Sequence, residues 1–250
     1  MVGWRAKLGF LVPAGTPTVE PEMFEMAPKG VSVHFGRMIS RGADGTLNGI
    51  EARIATQIEH LDESVEMLSM IKPDVIALAH TATSYYLGRE KEAELTKRLE
   101  DRFGLHFITA FGSVIAALNA LGIKKVALGT PYDENLTMQG KQNLESYGIE
   151  VVNFDWLRNV RSIFEEPPNR AYRLGKSVDV PEAQAVFLSG VGMPTVSIVG
   201  ALEQDLGKPV ISSSSAMMWN ALRLAGVAPV LPGYGSLLAR GNTDGVTDYS

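Results

Sequence analysis

The chain has 250 residues, 45% of them hydrophobic and 20% charged, with a formal net charge of -5. That length holds one large α/β domain or two smaller ones, and the negative charge argues against nucleic acid or an anionic membrane surface as a partner. There is no cysteine, which excludes disulfides, thiolate zinc sites and a cysteine nucleophile.

No apolar run approaches the length that spans a bilayer, and residues 1–12 lack the pattern of a signal peptide, so a cytoplasmic location is expected. Residues 7–12 (Lys-Leu-Gly-Phe-Leu-Val) read as a short apolar strand. The turn-rich Pro13-Ala-Gly-Thr-Pro17 follows, and a helix starts near Thr18. Residues 31–38 alternate as a second strand. A glycine-rich loop at 42–49 is either a lid or a plain connection. From 50 to 71, Ile54, Ile58, Leu61, Val65 and Leu68 keep helical spacing, which predicts one helix. The apolar run before His80 is a buried strand, and it ends in Thr81-Ala-Thr-Ser84. A charged helix over 88–103 comes next, its charges read as a solvated face. A strand at 105–109 and a helix ending near Gly122 complete the first half.

The second half repeats the rhythm. Strands are predicted at 125–130, 150–154, 182–189 and 210–211. Helices are predicted up to about 147, over 170–177, over 195–206 and over 216–224. A loop and short helix fill 155–166 before Pro167-Pro168. The tail from Arg240 is polar and is expected to be loosely attached. Alternating β and α elements argue for parallel sheets with right-handed crossovers. Residues 107–123 resemble 210–227: both are a strand, a hydroxyl-rich loop and a helix ending in glycine. Each is preceded by a strand with a polar carboxyl end, at 80–84 and at 189–192. Two similar halves then face one another, and free helix N-termini in the crevice favour small anions.

These residues resemble a known family. The order and spacing of Leu11-Val-Pro13, Thr18-Val-Glu-Pro21, residues 30–38, residues 81–86, residues 126–132, Ser189-Gly-Val-Gly192, Pro209-Val-Ile-Ser-Ser-Ser-Ser215 and Pro232-Gly-Tyr-Gly235 are similar to the aspartate/glutamate racemase superfamily. Within it, the likeness is to the branch of maleate cis-trans isomerases and arylmalonate decarboxylases. The resemblance implies an α/β fold of two pseudosymmetric domains, each a parallel sheet flanked by helices, with the active site in the cleft between them. The first domain is expected to be 1–118 plus 217–250, and the second 119–216. The resemblance implies no cofactor and a small carboxylic acid as substrate. Relatives commonly associate, so a homo-oligomer is open.

The departures from the family carry information. Racemases and maleate isomerases use two cysteines, and decarboxylases keep the second. Here His80 stands in the first slot and Gly190 in the second, so neither a cysteine adduct nor two-thiol racemisation is available. The carboxylate-binding positions of the family fall on Thr81, Ala82 and Tyr132, with Gly190, Val191 and Gly192 as the second strand-end loop. Pro13 and Thr16 fall beside them, and Asn159 falls where maleate isomerases place a substrate-binding asparagine.

Each of these residues has a plainer reading. His80 is either a buried residue satisfied by a backbone carbonyl or a proton carrier, a task its ordinary pKa suits. Tyr132 is a turn aromatic or a ligand contact. Thr81, Thr83 and Ser84 cap a helix whether or not they also bind a ligand. Residues 212–215 read as capping plus packing, and Asn159 as a loop residue or a ligand. His34, His60 and His106 are scattered, so no metal site is expected. Gly190-Val-Gly192 lacks the rest of a dinucleotide fingerprint, and no Gly-x-Ser-x-Gly elbow occurs.

The reading that follows is a cofactor-independent lyase acting on a small carboxylic or dicarboxylic acid through an enediolate-like intermediate. His80 and Tyr132 are its catalytic residues. An isomerase or racemase working without a covalent adduct, and a carboxylate-binding protein without catalysis, are the alternatives.

Overall fold

The structure, a computed structural model, describes residues 2–41 and 49–240. The glycine-rich stretch read above as a lid or a connection, at 42–48, and the tail beyond Arg240 lie outside the described residues. Strands β1 (Ala6–Pro13), β2 (Val31–Met38), β3 (Val75–Leu78) and β4 (His106–Thr109) form a parallel sheet in the order β2-β1-β3-β4. Strands β5 (Lys125–Thr130), β6 (Glu150–Trp156), β7 (Ala185–Leu188) and β8 (Val210–Ser212) form a second parallel sheet in the order β6-β5-β7-β8. The two orders are one pattern used twice, which is the internal repeat expressed as topology. β3 and β7 are apolar and buried at every position. Parallel strands covered by helices on both faces need no polar side.

In each sheet the chain leaves the first strand for an outer neighbour, then returns past it to the third strand. Open α/β sheets bind ligands at the crevice this reversal creates, outside the strand carboxyl ends. Here those ends are Pro13 and His80 in one half, and Tyr132 and Gly190 in the other.

The helices are α1 (Val19–Met26), α2 (Ile50–Glu59), α3 (Leu61–Ser69), α4 (Thr81–Phe103), α5 (Ala110–Ala120), α6 (Glu134–Ser146), α7 (Pro168–Val178), α8 (Val196–Leu206), α9 (Ser213–Leu224) and α10 (Ser236–Ala239). Three of the predicted helices differ from the sequence expectation. The single helix over 50–71 is two, broken at His60. α2 buries Arg53, Ile54 and Gln57, whereas α3 buries Leu61, Val65 and Leu68. The two helices pack on different surfaces, α2 against α4 and α3 against β2 and β1. The helix expected from 88 begins instead at Thr81, with a kink at Gly88 (φ 71°). Its first turns are rich in threonine, serine and tyrosine, poor helix formers that tertiary contacts hold in place. Glu92 accepts from Ser84 Oγ at 2.6 Å, and so stitches the helix across its kink. α9 begins at Ser213 rather than 216, and a Ser212–Ser215 capping box starts it.

α5 and α9, each following the last strand of its sheet, pack against one another and carry one apolar core through both halves. Polar contacts join the halves as well. Glu22 on α1 accepts from the Thr195 and Val196 N–H groups at 2.7 and 2.9 Å, capping the start of α8 from across the molecule. Tyr85 Oη pairs with Ser189 Oγ at 2.7 Å. Among the described residues no helix is long and apolar enough to cross a membrane.

Candidate active site

A small cavity of about 40 Å³ lies at the facing strand ends. Pro13, Thr16, His80, Tyr132, Val191 and Gly192 line it, so six of the residues singled out in the sequence meet there. Ile50, Arg53 and Gln57 on α2, with Ile163 and Phe164, complete the wall.

Each side chain is placed by its own local structure. Pro13 ends β1, and the following loop is held by Arg37, which donates to the Ala14 and Thr16 carbonyls at 3.0 and 2.9 Å. His80 is the N-cap residue of α4, with extended backbone (φ -150°, ψ 96°), so the strand hands its side chain to the start of the helix. Its Nδ1 shares a 2.8 Å hydrogen bond with Thr83 Oγ1, which leaves Nε2 as the nitrogen open to a bound molecule. Burial, with the Arg53 cation adding to it, lowers the imidazole from 6.5 to about 4. The resting ring is therefore neutral at physiological pH. Burial pushes the Tyr132 phenol up, and the Ser189 and Thr81 hydroxyls offset part of that shift. Tyr132 is thus a fixed donor rather than a base.

The remaining sequence candidates lie behind or outside the cavity wall. Thr81 is fully buried and donates to Ser213 Oγ at 3.1 Å. The same Ser213 oxygen accepts from the Gly190 N–H at 3.1 Å, so one serine ties the two strand ends together. Ala82 is buried in the first turn of α4. Asn159 is exposed, in a left-handed conformation (φ 57°), and does not line the cavity. Met193 is buried.

Arg53 and Gln57 were missed by sequence reading, although a signal was present. They lie four residues apart on the same stripe as Ile50 and Ile54, and so put polar groups on a core-facing helix surface. Ile163 and Phe164 sit in a 3₁₀ turn (Ile163–Glu165) that carries no periodic signature. Among the described residues, no group of three or more His, Asp or Glu could hold a metal ion.

Gly190 occupies backbone that only glycine adopts easily (φ 92°), and a Cβ there would stand 3.0 Å from both Tyr132 Oη and Pro131 Cγ. The Gly190→Ala protein is expected to lose about 1–2 kcal/mol of stability. Thermal unfolding would read this as a lowered midpoint. An unchanged midpoint would mean that the turn can relax around the added methyl.

Comparison with known proteins supplies the family. The family model described as arylmalonate decarboxylase matches residues 8–238. The chain belongs to the arylmalonate decarboxylase family. The arylmalonate decarboxylase of Bordetella bronchiseptica is 31% identical over 206 residues, covering 77% of this chain and 80% of that one. The maleate isomerase of Geobacillus stearothermophilus is 27% identical over 249 residues, covering 93% and 97%. Among solved structures, the maleate isomerase Iso of Pseudomonas putida S16 superposes with a TM-score of 0.84 at 25% identity, covering 94% of this chain and 98% of that one. An arylmalonate decarboxylase does so with a TM-score of 0.76 at 26% identity, covering 93% and 98%. The family's relatives are enzymes of these two kinds, a decarboxylase and isomerases. The two facing parallel sheets are the fold they share with this chain.

Proposed function

We propose that this protein is a cofactor-independent decarboxylase of a small malonate-type acid, with His80 as the proton donor. The observation that carries the reading is the inventory of the cavity. Among the described residues its titratable side chains are Arg53, Tyr132 and His80, and only the histidine, once a bound anion lifts it from about 4, changes charge close to neutrality. Decarboxylation needs one proton delivered on one face, and that is what the cavity supplies. Two-base racemisation needs a second proton carrier, and the second strand end offers only Gly190.

The chemistry follows from the placement of the groups. One substrate carboxylate is held by the Tyr132 hydroxyl and by the backbone of the Val191-Gly192 turn, with Thr81 behind them. The C–C bond to the other carboxylate breaks, CO2 departs, and the electron pair remains as an enediolate on the retained carboxylate. Neutral donors fixed in a dry pocket stabilise that growing charge. The bound dianion favours the imidazolium form of His80; its Nε2 gives a proton to carbon, and the neutral ring that remains takes a proton back from water. The isomerase alternative is less well equipped. A Nocardia farcinica maleate cis-trans isomerase structure holds a covalently bound succinylcysteine intermediate, and this chain has no cysteine to form one.

The test offers malonate, methylmalonate and maleate to the pure protein in D2O. CO2 release, with one solvent deuterium in the product, is expected from a malonate. Fumarate from maleate without CO2 would make the protein an isomerase, and binding with neither product would make it a carboxylate-binding protein.

The seating of His80 has its own signature. Its NMR titration midpoint in the free protein is expected near 4. Bound succinate, an inert dianion, should raise that midpoint by 1–3 units, because an opposite charge within about 4–6 Å favours the imidazolium. A midpoint that succinate leaves unmoved would place the anion elsewhere. The same shift predicts a pH slope in stability. The unfolded chain binds this proton near 6.5 and the folded chain only near 4, so stability falls as pH drops through that window. The loss is on the order of 3 kcal/mol at most.

A further inference from the structure

We infer that Arg53 and Gln57 form a subsite on the α2 wall that selects malonates whose α-substituent carries a further carboxylate, in preference to an aromatic ring. The inference rests on the reading of this cavity as a carboxylate site, and it names which acids enter.

The first observation is burial. Arg53 is 7% exposed and Gln57 2%, and both line the cavity. They stand on the same helix stripe as the apolar Ile50 and Ile54, where leucine or methionine would pack at no polar cost. Polar groups at such positions are expensive unless they find partners, at about 1–3 kcal/mol for each group left unsatisfied. Gln57 shows that cost: its Nε2 donates to Ser40 Oγ at 3.2 Å, while the buried Oε1 has no partner. The Ser40 hydroxyl can accept or donate, so the Gln57 amide can turn either end to a ligand.

The second observation is charge. The Arg53 cation acts directly on His80, so it sits within electrostatic reach of the proton donor. Guanidinium is the side chain best matched to a carboxylate, through paired N–H donors. A third carboxylate, on the substrate's α-substituent, therefore meets a cation, while the retained one is held by Tyr132 and the Val191-Gly192 turn. The third observation is size. The cavity is about 40 Å³, whereas a cavity that admits benzene is on the order of 150 Å³. Phe164 and α2 must give way for any of these acids, and by more for a phenyl ring than for a short anionic arm.

The test has a catalytic arm and a binding arm. Carboxymethylmalonate, methylmalonate and phenylmalonate are assayed for CO2 release with wild type and Arg53→Met. The expected kcat/KM ratio of carboxymethyl to phenyl substrate is tenfold or more in wild type, and it collapses toward one or inverts in Arg53→Met. A ratio is independent of the active fraction, and the wild-type panel decides alone if Arg53→Met does not fold. The binding arm compares inert succinate with butyrate and phenylacetate by thermal shift. Succinate should stabilise wild type most, and Arg53→Met and Gln57→Leu should lose that advantage. A wild type that prefers the phenyl compounds in either arm, or an Arg53→Met protein with wild-type ratios, overturns the subsite. CO2 release without discrimination between arms removes the subsite and keeps the decarboxylase. Succinate selectivity with no CO2 from any malonate removes the decarboxylase and keeps the subsite.

Discussion

Replacing His80 with asparagine is expected to lower kcat by about 10²–10⁴-fold for whichever malonate the wild type turns over. Asparagine can keep a hydrogen bond to Thr83 and the cap position of α4, but it cannot exchange a proton. The assay is CO2 release under saturating substrate, with circular dichroism to show that the fold is intact. The substituted protein should still bind succinate, because the carboxylate donors lie on Tyr132 and the Val191-Gly192 turn. It should also lose part of the acid slope in stability, since the imidazole that resists protonation is gone. Turnover within tenfold of wild type would mean that the proton comes from water or another group, and His80 would then be a buried capping residue.

Tyr132→Phe is expected to cost about 10²–10³-fold in kcat, the usual loss when one donor to a developing oxyanion is removed. The ring would stay, and with it the edge-on contact to Tyr85 at 6.2 Å between centroids. Only the hydroxyl near Thr81 and Ser189 disappears. Because burial holds the phenol protonated, its contribution should not vary between pH 5 and 8. The measurement is therefore a pair of pH–rate profiles, offset by a constant factor and otherwise parallel. Profiles that converge would show Tyr132 titrating, and so acting as a base. A change confined to KM would show it binding the ground state and transition state equally.

Much of the fold was legible because its signals are local. β3 and β7 are unbroken apolar runs ending in polar residues, and each is followed by a strand, a hydroxyl cap and a helix ending in glycine. That repeat predicted two facing halves before any contact was visible. His80, Tyr132 and the Val191-Gly192 turn were reachable because strand ends at a reversal of strand order are where such sheets bind ligands. The break at His60 was not legible, since Ile58 and Leu61 continue the helical spacing straight through it. Only the different targets of the two faces, cavity and sheet, require the break. Arg53 and Gln57 were hidden by the same averaging: the stripe was read from its isoleucines. The early start of α4 was hidden by composition, because Thr81–Ser84 favours caps and turns until Asn143, which donates to the Ser84 carbonyl, Ser189, which pairs with Tyr85, and Glu92 hold it. The short helix expected within 155–166 is the Ile163–Glu165 turn, but nothing local showed that Ile163 and Phe164 would face the cavity.

Ser213 binds Thr81 and the Gly190 N–H together, and Tyr85 binds Ser189 beside it. Opening the two halves like a book would strand four buried hydroxyls, so the floor of the site is the part of the molecule least able to change. The wall is of a different kind: one short helix and one turn, each joined to the rest by loops. Chemistry and choice of substrate thus reside in separable pieces. A lineage could exchange the residues of α2 and of the Ile163–Glu165 turn, and so adopt new acids in succession, while the proton carrier and its anchoring stayed as they are.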